Sequence, residues 1–188
     1  MSIKSVTLKR NLNNILIETG TFLGETTRKS IELGYKKVYT IELQERLYES
    51  SKKNLKDLID ADKVEIIKGD SALVLENIMK KIDEPITILL DAHIDLGNYV
   101  PNVSPTDYPP DNPVDWCPLY KELEVIKNHH IKNHTIMIDD VRIIGVDGWG
   151  ESLVLEKIKE QLLSINSDYK ISFEEGENPE DVLVVKVG

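Results

Sequence analysis

The sequence has 188 residues and a formal net charge of −10, with 23 Lys and Arg against 33 Asp and Glu. A surface this acidic repels phosphate backbones, so a nucleic-acid partner is not expected. The lone cysteine, Cys117, excludes an internal disulfide framework and a cysteine-rich zinc site.

The sequence carries no signal for membrane insertion or export. Residues 1–14 lack the apolar core of a signal peptide. No apolar run approaches the roughly 20 residues that a membrane-spanning helix needs. We therefore expect a cytoplasmic protein that binds neither membrane nor nucleic acid.

Runs rich in β-branched residues alternate along the chain with amphipathic stretches. The runs predict strands over residues 14–18, 37–42, 64–68, 86–91, 135–139, 169–174 and 181–187. The amphipathic stretches predict helices over residues 25–33, 44–58, 71–81, 119–129 and 151–165. The fourth run, ITILLD, is almost wholly apolar, as expected for a strand that is covered on both faces.

The order of these elements predicts the fold class. Strand and helix alternate up to residue 165, whereas the last two strands leave no room for a helix between them and form a hairpin. We predict one domain over residues 1–188, of the α/β class. Its architecture is a doubly wound, Rossmann-like seven-stranded sheet, mostly parallel with a C-terminal antiparallel hairpin.

One long segment interrupts the alternation. Residues 94–118 hold six of the eight prolines and follow the fourth predicted strand directly. Ligands bind beyond the carboxyl ends of the strands in open α/β sheets, and long loops in compact domains are commonly functional. We predict that this segment covers a substrate; an inert excursion is the alternative.

The first predicted strand ends in a glycine-containing turn, ETGTFLG (residues 18–24). Glycines there permit a tight turn and the close approach of a ligand, while the following helix presents free N–H groups. The G-x-G-x-x-G dinucleotide fingerprint is absent, because Phe22 stands between Gly20 and Gly24. Glu18, two positions before Gly20, suits a cationic or hydrogen-bond-donating ligand. A plain strand-to-helix turn is the alternative.

Carboxylates also end the next two predicted strands. Glu42 ends the second strand, where a carboxylate can accept both hydroxyls of a ribose; a solvated strand end is the alternative. Asp70 follows the third strand within Gly69-Asp70-Ser71. It can accept from an adenine amino group or cap the next helix, and the two roles are compatible.

Together, ETGTFLG, YTIEL and KGDS resemble the cofactor-binding strand ends of class I S-adenosylmethionine (SAM)-dependent methyltransferases. The resemblance covers most of the chain, because the helix rhythm and the closing hairpin are also similar to that fold. It implies that Glu18 and Gly20 lie near the methionine and ribose, Glu42 on the ribose hydroxyls, and Asp70 and Ser71 beside the adenine. The whole cofactor-binding set is Glu18, Gly20, Thr21, Gly24, Glu42, Asp70, Ser71 and Asp91. Phe22 departs from the family, many of whose members have glycine there.

Three more carboxylates follow the fourth and fifth predicted strands: Asp91 and the pair Asp139-Asp140. Since these strands are neighbours in a doubly wound sheet, we expect the three side chains to lie together. Clustered carboxylates need a cation or a shared proton, and oxygen ligands indicate a hard cation such as Mg²⁺. A capping role for the pair is the alternative. Arg142 is expected to neutralise the pair rather than hold an acidic substrate.

His93 lies two residues after Asp91. Histidine is the side chain whose ordinary charge change lies closest to neutral pH. It suits a general base that takes the proton of a substrate hydroxyl oriented by Mg²⁺, after which the oxygen attacks the sulfonium methyl group. An ordinary loop histidine is the alternative. His129, His130 and His134 precede the fifth strand, at the opposite edge, and are assigned no ligand role.

This second constellation resembles metal-dependent O-methyltransferases that act on sugar hydroxyls of macrolide and aminocoumarin antibiotics. On that pattern Asp91, Asp139 and Asp140 are metal ligands and His93 is the base. The segments LLDAH, CPLYKELEVI and HTIMIDDVR are also similar to methyltransferase-like proteins associated with polysaccharide biosynthesis. The resemblance implies a small hydroxylated substrate, such as a saccharide unit.

The leading hypothesis is therefore a metal-assisted SAM-dependent O-methyltransferase, for which a homodimer is also compatible with the fold. An oxidoreductase that binds a nucleotide or NAD is one alternative, against which the missing third glycine and Glu18 argue. A non-catalytic binding or scaffold protein is the other. Such a protein would not need to assemble three carboxylates and a histidine.

Overall fold

The computed structural model describes residues 3–93, 117–146 and 152–188, which contain a seven-stranded sheet. Its strands are Ile15–Thr19 (β1), Lys37–Glu42 (β2), Val64–Lys68 (β3), Thr87–Leu90 (β4), Thr135–Ile138 (β5), Tyr169–Glu174 (β6) and Val182–Val187 (β7). They lie in the order β3-β2-β1-β4-β5-β7-β6, and β7 runs antiparallel to both of its neighbours. The predicted fold class, a mostly parallel sheet with a C-terminal antiparallel hairpin, is confirmed.

Seven α-helices accompany the strands in the described part of the chain, with one short 3-10 helix, Val141–Ile143. The α-helices are Ser5–Arg10 (α1), Glu25–Leu33 (α2), Glu45–Asn54 (α3), Lys56–Asp60 (α4), Ser71–Met79 (α5), Leu119–Asn128 (α6) and Leu155–Ile165 (α7). None of these helices has the length and apolarity needed to cross a membrane. Most of the predicted substrate-covering segment, residues 94–116, lies outside the described residues, so its role stays a prediction.

The helices cover both faces of the sheet, as the doubly wound prediction requires. Neighbouring strand residues alternate between two apolar clusters, because successive side chains of a strand point to opposite faces. Leu16 and Leu89 pack in the cluster that contains residues of α1, while Ile17 and Leu90 pack in the cluster that contains residues of α5, α6 and α7. The central strands are therefore buried on both faces. Only the ends of the strands are left for a functional site.

The prediction of one continuous helix over residues 44–58 is wrong. It divides into α3 and α4 at Leu55, whose backbone leaves the helical region (φ −103°, ψ 8°). The side chain of Leu55 is fully buried in the same cluster as Leu16 and Val38. Burial of this side chain accompanies the interruption, which helical periodicity does not reveal.

The helix α1 is absent from the sequence prediction. It has six residues, which is too short to be stable alone. Tertiary contacts hold it in place: Tyr35 donates a hydrogen bond to the carbonyl oxygens of Leu8 and Asn11, at 3.2 Å each, and the Thr87 hydroxyl also donates to Asn11. Its existence depends on residues far away in the chain.

Two histidines lie buried at the amino edge of the sheet, opposite the predicted site. His134 is fully buried, and its Nδ1 accepts a hydrogen bond from the Ile86 amide at 3.2 Å. Its Nε2 lies 3.0 Å from Nδ1 of His129. Because Nδ1 accepts, the network assigns the His134 proton to Nε2. Burial lowers the pKa of His134 to about 4.

Replacing His134 with Asn should reduce the acid sensitivity of the fold, since the Asn oxygen can still accept from the Ile86 amide but does not titrate. An unfolded histidine binds its proton near pH 6.5, whereas folded His134 resists it until about pH 4. The free energy of unfolding therefore falls as the pH drops through this window. From pH 7 to 5, urea unfolding should show a loss about 2 kcal/mol larger in the wild type than in His134→Asn. Equal losses would contradict this role, because all other groups titrate in both proteins.

Candidate active site

The ends of five parallel strands meet at one edge of the sheet. The register pairs Thr19 with Leu90 and Leu90 with Ile138, so β1, β4 and β5 end side by side. The prediction that the fourth and fifth strands are neighbours is confirmed. As a result, Asp91 and Asp139 emerge next to each other.

The turn after β1 lies against the end of β4. Gly20 has a positive φ of 85°, and a Cβ atom at this position would lie 2.5 Å from the carbonyl oxygen of Asp91. The amides of Gly20 and Thr21 both donate to the carbonyl oxygen of Ile41, at 3.0 Å each. Only glycine permits this approach and this backbone conformation together.

The second half of the turn is held by Glu42, at the end of β2. Glu42 accepts from the Phe22 amide through Oε2 and from the Gln44 amide through Oε1, both at 2.8 Å. Phe22 itself takes a left-handed conformation (φ 51°). Gly24 also has a positive φ of 83°, and a Cβ there would meet Leu55 at 2.7 Å. Burial raises the pKa of Glu42, while its backbone hydrogen bonds oppose that rise.

The predicted cofactor residues Glu18 and Thr21 lie beneath this turn. Glu18 is 1% exposed and accepts hydrogen bonds through Oε2 from the hydroxyls of Thr27 and Thr40. The hydroxyl of Thr21 is 2.7 Å from that of Thr40. Burial raises the pKa of Glu18 to about 7. Both side chains therefore support the turn from below, and their contact with a cofactor stays a prediction.

The end of β3 supplies the cap of α5. Asp70 accepts a hydrogen bond from the Ala72 amide at 2.9 Å, so its predicted capping role is confirmed. Ser71 is the first residue of α5 and is buried. Their predicted positions beside an adenine stay predictions.

A compact acid–imidazole cluster lies beyond β4 and β5. Nε2 of His93 is 3.0 Å from Oδ2 of Asp140 and 4.0 Å from Oδ1 of Asp91. One ligand atom from each of the three residues lies within 4.8 Å of the others. Asp139 is not brought into this cluster: its Oδ1 accepts from the Asp140 amide at 2.9 Å. Asp140 has a left-handed backbone (φ 55°, ψ 44°), and its carboxylate contacts His93, which that of Asp139 does not do in the described cluster. A ligand role for Asp139 stays a prediction.

The charges of this cluster suit a cation. Burial raises the pKa of Asp91 well above its usual range, and the nearby carboxylates of Asp139 and Asp140 raise it further. Burial would also raise the pKa of Asp140, but hydrogen bonds and charge from His93 and Arg142 outweigh it and lower that pKa. Two oxygens and one imidazole nitrogen form a donor set that divalent cations accept. A positive charge between these groups would relieve the repulsion of the carboxylates.

Arg142 ties this cluster to the hairpin of β6 and β7. Its Nη1 atom pairs with Oδ1 of Asp140 at 2.6 Å and with the buried carboxylate of Asp181, and its Nη2 atom pairs with Glu177 at 2.9 Å. The Arg142 amide also donates to Asp181, at 3.1 Å. The expectation that Arg142 neutralises the acidic pair is confirmed for Asp140. With Oδ1 held by Arg142, Oδ2 of Asp140 faces His93.

A buried carboxyl that the sequence analysis missed lines the same pocket as this cluster. Glu122 of α6 is 1% exposed, and burial raises its pKa to about 7. The pocket wall also contains Cys117, a neutral thiol because burial raises its pKa to about 12. Most other wall side chains are aliphatic: Leu90, Leu119, Ile138, Ile143, Ile144 and Leu153. A carboxylate at an apolar position of an amphipathic helix is the signal that could have revealed Glu122.

Replacing Arg142 with Met should destabilise the fold, because the buried carboxylates of Asp140 and Asp181 lose their shared cation. We expect a loss of about 2 kcal/mol in the free energy of unfolding by urea at pH 7. Arg28→Met is the matched control, since Arg28 pairs with Asp57 at the exposed surface and its loss should matter much less. Equal effects of the two replacements would show that the buried pairing contributes nothing special.

No family model matches this sequence, and no curated protein sequence matches it. Solved structures do match. The O-methyltransferase of Bacillus cereus, solved with S-adenosylhomocysteine (SAH), has a TM-score of 0.60 and 15% identity, over 98% of this chain and 78% of that one. TomG of Streptomyces achromogenes, an O-methyltransferase involved in tomaymycin synthesis and solved with SAM, has a TM-score of 0.59 and 16% identity, over 98% and 78%.

A third solved structure gives the same result. The SAH-bound methyltransferase PaMTH1 of Podospora anserina has a TM-score of 0.58 and 14% identity, over 98% of this chain and 76% of that one. At such identities the likeness concerns the fold. The chain therefore has the Rossmann-like fold of the SAM-dependent methyltransferases.

Proposed function

We propose that this protein is an enzyme that transfers the methyl group of SAM to a hydroxyl of a small molecule, with the help of a divalent cation. The proposal rests on a contact between the glycine turn, where the cofactor is expected to bind, and the acid–imidazole cluster. The glycine turn after β1 lies against Asp91, which also belongs to the cluster with His93 and Asp140. A cofactor on the turn and an acceptor at the cluster would therefore be adjacent. The solved O-methyltransferases of the same fold, bound to SAM or SAH, support this proposal.

The cofactor would lie across the ends of β1, β2 and β3. Each carboxylate oxygen of Glu42 already accepts one backbone amide and has a further lone pair for a ribose hydroxyl. The N-terminus of α5, at Ser71, would lie beside the adenine. The proposed contact set is Glu18, Gly20, Thr21, Gly24, Glu42, Asp70, Ser71 and Asp91.

The chemistry would take place at the cluster. A bound cation such as Mg²⁺, held by Asp91 and Asp140 with His93 or Asp139, would make the acceptor hydroxyl more acidic. His93 would take the hydroxyl proton. The oxygen would then form its bond to the methyl carbon while the carbon–sulfur bond breaks, and that electron pair stays on sulfur as SAH forms. Through Nε2, His93 can hold a cation or accept the proton, but not both at once.

The acceptor would be a small hydroxylated molecule, for which a saccharide unit is our proposal from the sequence. The aliphatic pocket wall would exclude water from the reacting oxygen. The net charge of −10 disfavours nucleic acid as the acceptor. A cytoplasmic location, independence of membranes and a homodimer belong to the same proposal.

We expect SAH to bind the wild-type protein with a micromolar Kd in calorimetric titration, and NADH not to bind. Glu42→Ala should weaken SAH binding by about tenfold, because the ribose hydroxyls lose their charged acceptor. The neighbouring Glu45→Ala is the matched control, since the Glu45 side chain is exposed and pairs with Lys68. Absence of SAH binding to folded protein would favour a scaffold protein, and binding of NADH alone would favour an oxidoreductase.

We expect Mn²⁺, as a probe for Mg²⁺, to bind the wild-type protein and to be removed by a chelator. Asp140→Asn should weaken Mn²⁺ binding by at least about tenfold in titrations followed by electron paramagnetic resonance, since the cluster loses one charge. His93→Ala in the same assay decides between its two roles: a comparable loss makes His93 a ligand, and an unchanged Kd leaves it free to act as base. Asp139→Asn decides in the same way whether Asp139 is a ligand. If Asp140→Asn binds Mn²⁺ like the wild type, the proposed cation site is wrong.

A further inference from the structure

Asp181 is a buried carboxylate that lies directly before β7, and its side chain is 1% exposed. Its Oδ1 accepts a hydrogen bond from the Arg142 amide at 3.1 Å. Its Oδ2 pairs with the Arg142 guanidinium and accepts from the Asn178 amide at 3.4 Å. The carbonyl oxygen of Asp181 accepts from the Val141 amide at 2.9 Å. Asp181 therefore holds both the backbone that follows Asp140 and the side chain of Arg142.

The guanidinium of Arg142 is shared among three carboxylates. Nη1 pairs with Oδ1 of Asp140 at 2.6 Å and with Asp181, while Nη2 pairs with Glu177 at 2.9 Å. Asp140 thus gives one oxygen to Arg142, and its other oxygen, Oδ2, lies 3.0 Å from Nε2 of His93. Because one positive charge serves three negative ones, Asp140 keeps part of the charge that would attract a cation.

The turn between β6 and β7 fixes the place of Asp181. A Cβ atom at Gly176 would lie 3.0 Å from Cβ of Asp181 and 3.2 Å from Oδ1 of Asp139, so the turn packs closely against both acids. The Gly176 amide donates to the carbonyl oxygen of Asn178 at 3.1 Å, which closes the turn. Since the turn and the strand hold Asp181, its carboxylate can determine where the guanidinium of Arg142 lies.

We propose that Asp181 is a positioning residue for the cation site: it anchors Arg142 so that the guanidinium holds only Oδ1 of Asp140 and leaves Oδ2 for the cation. Without this anchor the guanidinium would pair with both oxygens of Asp140, because arginine and carboxylate groups favour bidentate pairing. Asp140 would then be a poorer ligand. This inference rests on the proposed function, because the cation is that of the proposed reaction.

The test measures the binding of Mn²⁺ to Asp181→Asn by electron paramagnetic resonance. Asn removes the charge and can replace only one of the two oxygens that hold Arg142. We expect the Kd for Mn²⁺ to rise about tenfold. The spectrum of the bound Mn²⁺ should also change, because Asp140 presents its oxygens differently. SAH should bind as it does to the wild type, since the contacts of Asp181 are with the end of β5 and the hairpin.

Two control variants separate positioning from loss of charge and from loss of stability. Glu177→Gln removes another carboxylate that pairs with Arg142, but one whose side chain is 52% exposed, and should change the Mn²⁺ affinity by less than about twofold. Glu174→Gln breaks the pair that a buried carboxylate of the hairpin forms with Arg10, at 3.1 Å in the wild type. It should lower the Tm without weakening Mn²⁺ binding.

A double variant identifies how the effect reaches the cation. If Asp181 acts through Arg142, adding Asp181→Asn to Arg142→Met causes no further loss of Mn²⁺ affinity. A direct attraction between the Asp181 charge and the cation would instead persist when Arg142 is replaced. Non-additivity therefore indicates positioning, and additivity indicates charge alone.

The outcomes separate this inference from the proposed function. Unchanged Mn²⁺ affinity in Asp181→Asn would overturn the inference and leave the proposed function intact, as would additive losses in the double variant or equal losses in Asp181→Asn and Glu177→Gln. Absence of Mn²⁺ binding to the folded wild type would overturn the inference together with the cation of the proposed function, even if SAH binds.

The inference stays testable if a variant does not fold. Where Arg142→Met is unfolded, the comparison of Asp181→Asn with Glu177→Gln decides. Where Asp181→Asn is unfolded, Arg142→Lys takes its place, because lysine keeps the charge but lacks the planar fork that pairs with several carboxylates. Arg142→Lys must then weaken Mn²⁺ binding while SAH binds normally, or the inference fails.

Discussion

The close approach of Gly20 to the carbonyl oxygen of Asp91 is the contact on which the candidate site depends. The two backbones come so near that any Cβ at position 20 would overlap that oxygen, at 2.5 Å. The contact joins the turn after β1 to the end of β4. Because β4 pairs in parallel with β5, the end of β5 lies next to the end of β4. Every predicted site residue therefore lies along one edge of the sheet. A cofactor and an acceptor on either side of this contact would meet without any rearrangement of the strands.

Burial of acidic groups is the second constraint on this edge. Desolvation raises the pKa values of Glu18 and Glu122 to about 7, and that of Asp91 well above its usual range. The pKa of Asp140 is instead lowered, because Arg142 and His93 both contact it. The site thus combines a carboxylate whose pKa is lowered with buried acids whose pKa values are raised. This balance favours a positively charged ligand or metal over an anionic one.

The hydrophobic pattern of the sequence was sufficient to predict the strands of the sheet and most of the helices. Strands that are buried on both faces appear in the sequence as continuous apolar runs. It missed α1, a six-residue helix that tertiary hydrogen bonds from Tyr35 and Thr87 hold in place. It also joined α3 to α4 across Leu55, since helical spacing does not reveal a side chain that is drawn into the core. Local pattern and tertiary packing disagree at these two places, and packing decides the outcome.

The sequence by itself determined that carboxylates and glycines end the strands, because the positions of the strands follow from the hydrophobic pattern. The order of the elements also predicted that the fourth and fifth strands end side by side, but only the tertiary structure decided which of their carboxylates meet. Asp139 and Asp140 are adjacent in the chain, yet the left-handed backbone of Asp140 sends its carboxylate to His93 while Asp139 binds the Asp140 amide. Glu122 joined the site only through the packing of α6 on the sheet. Side-chain direction depends on backbone conformation and on distant neighbours, and neither can be read from spacing along the chain.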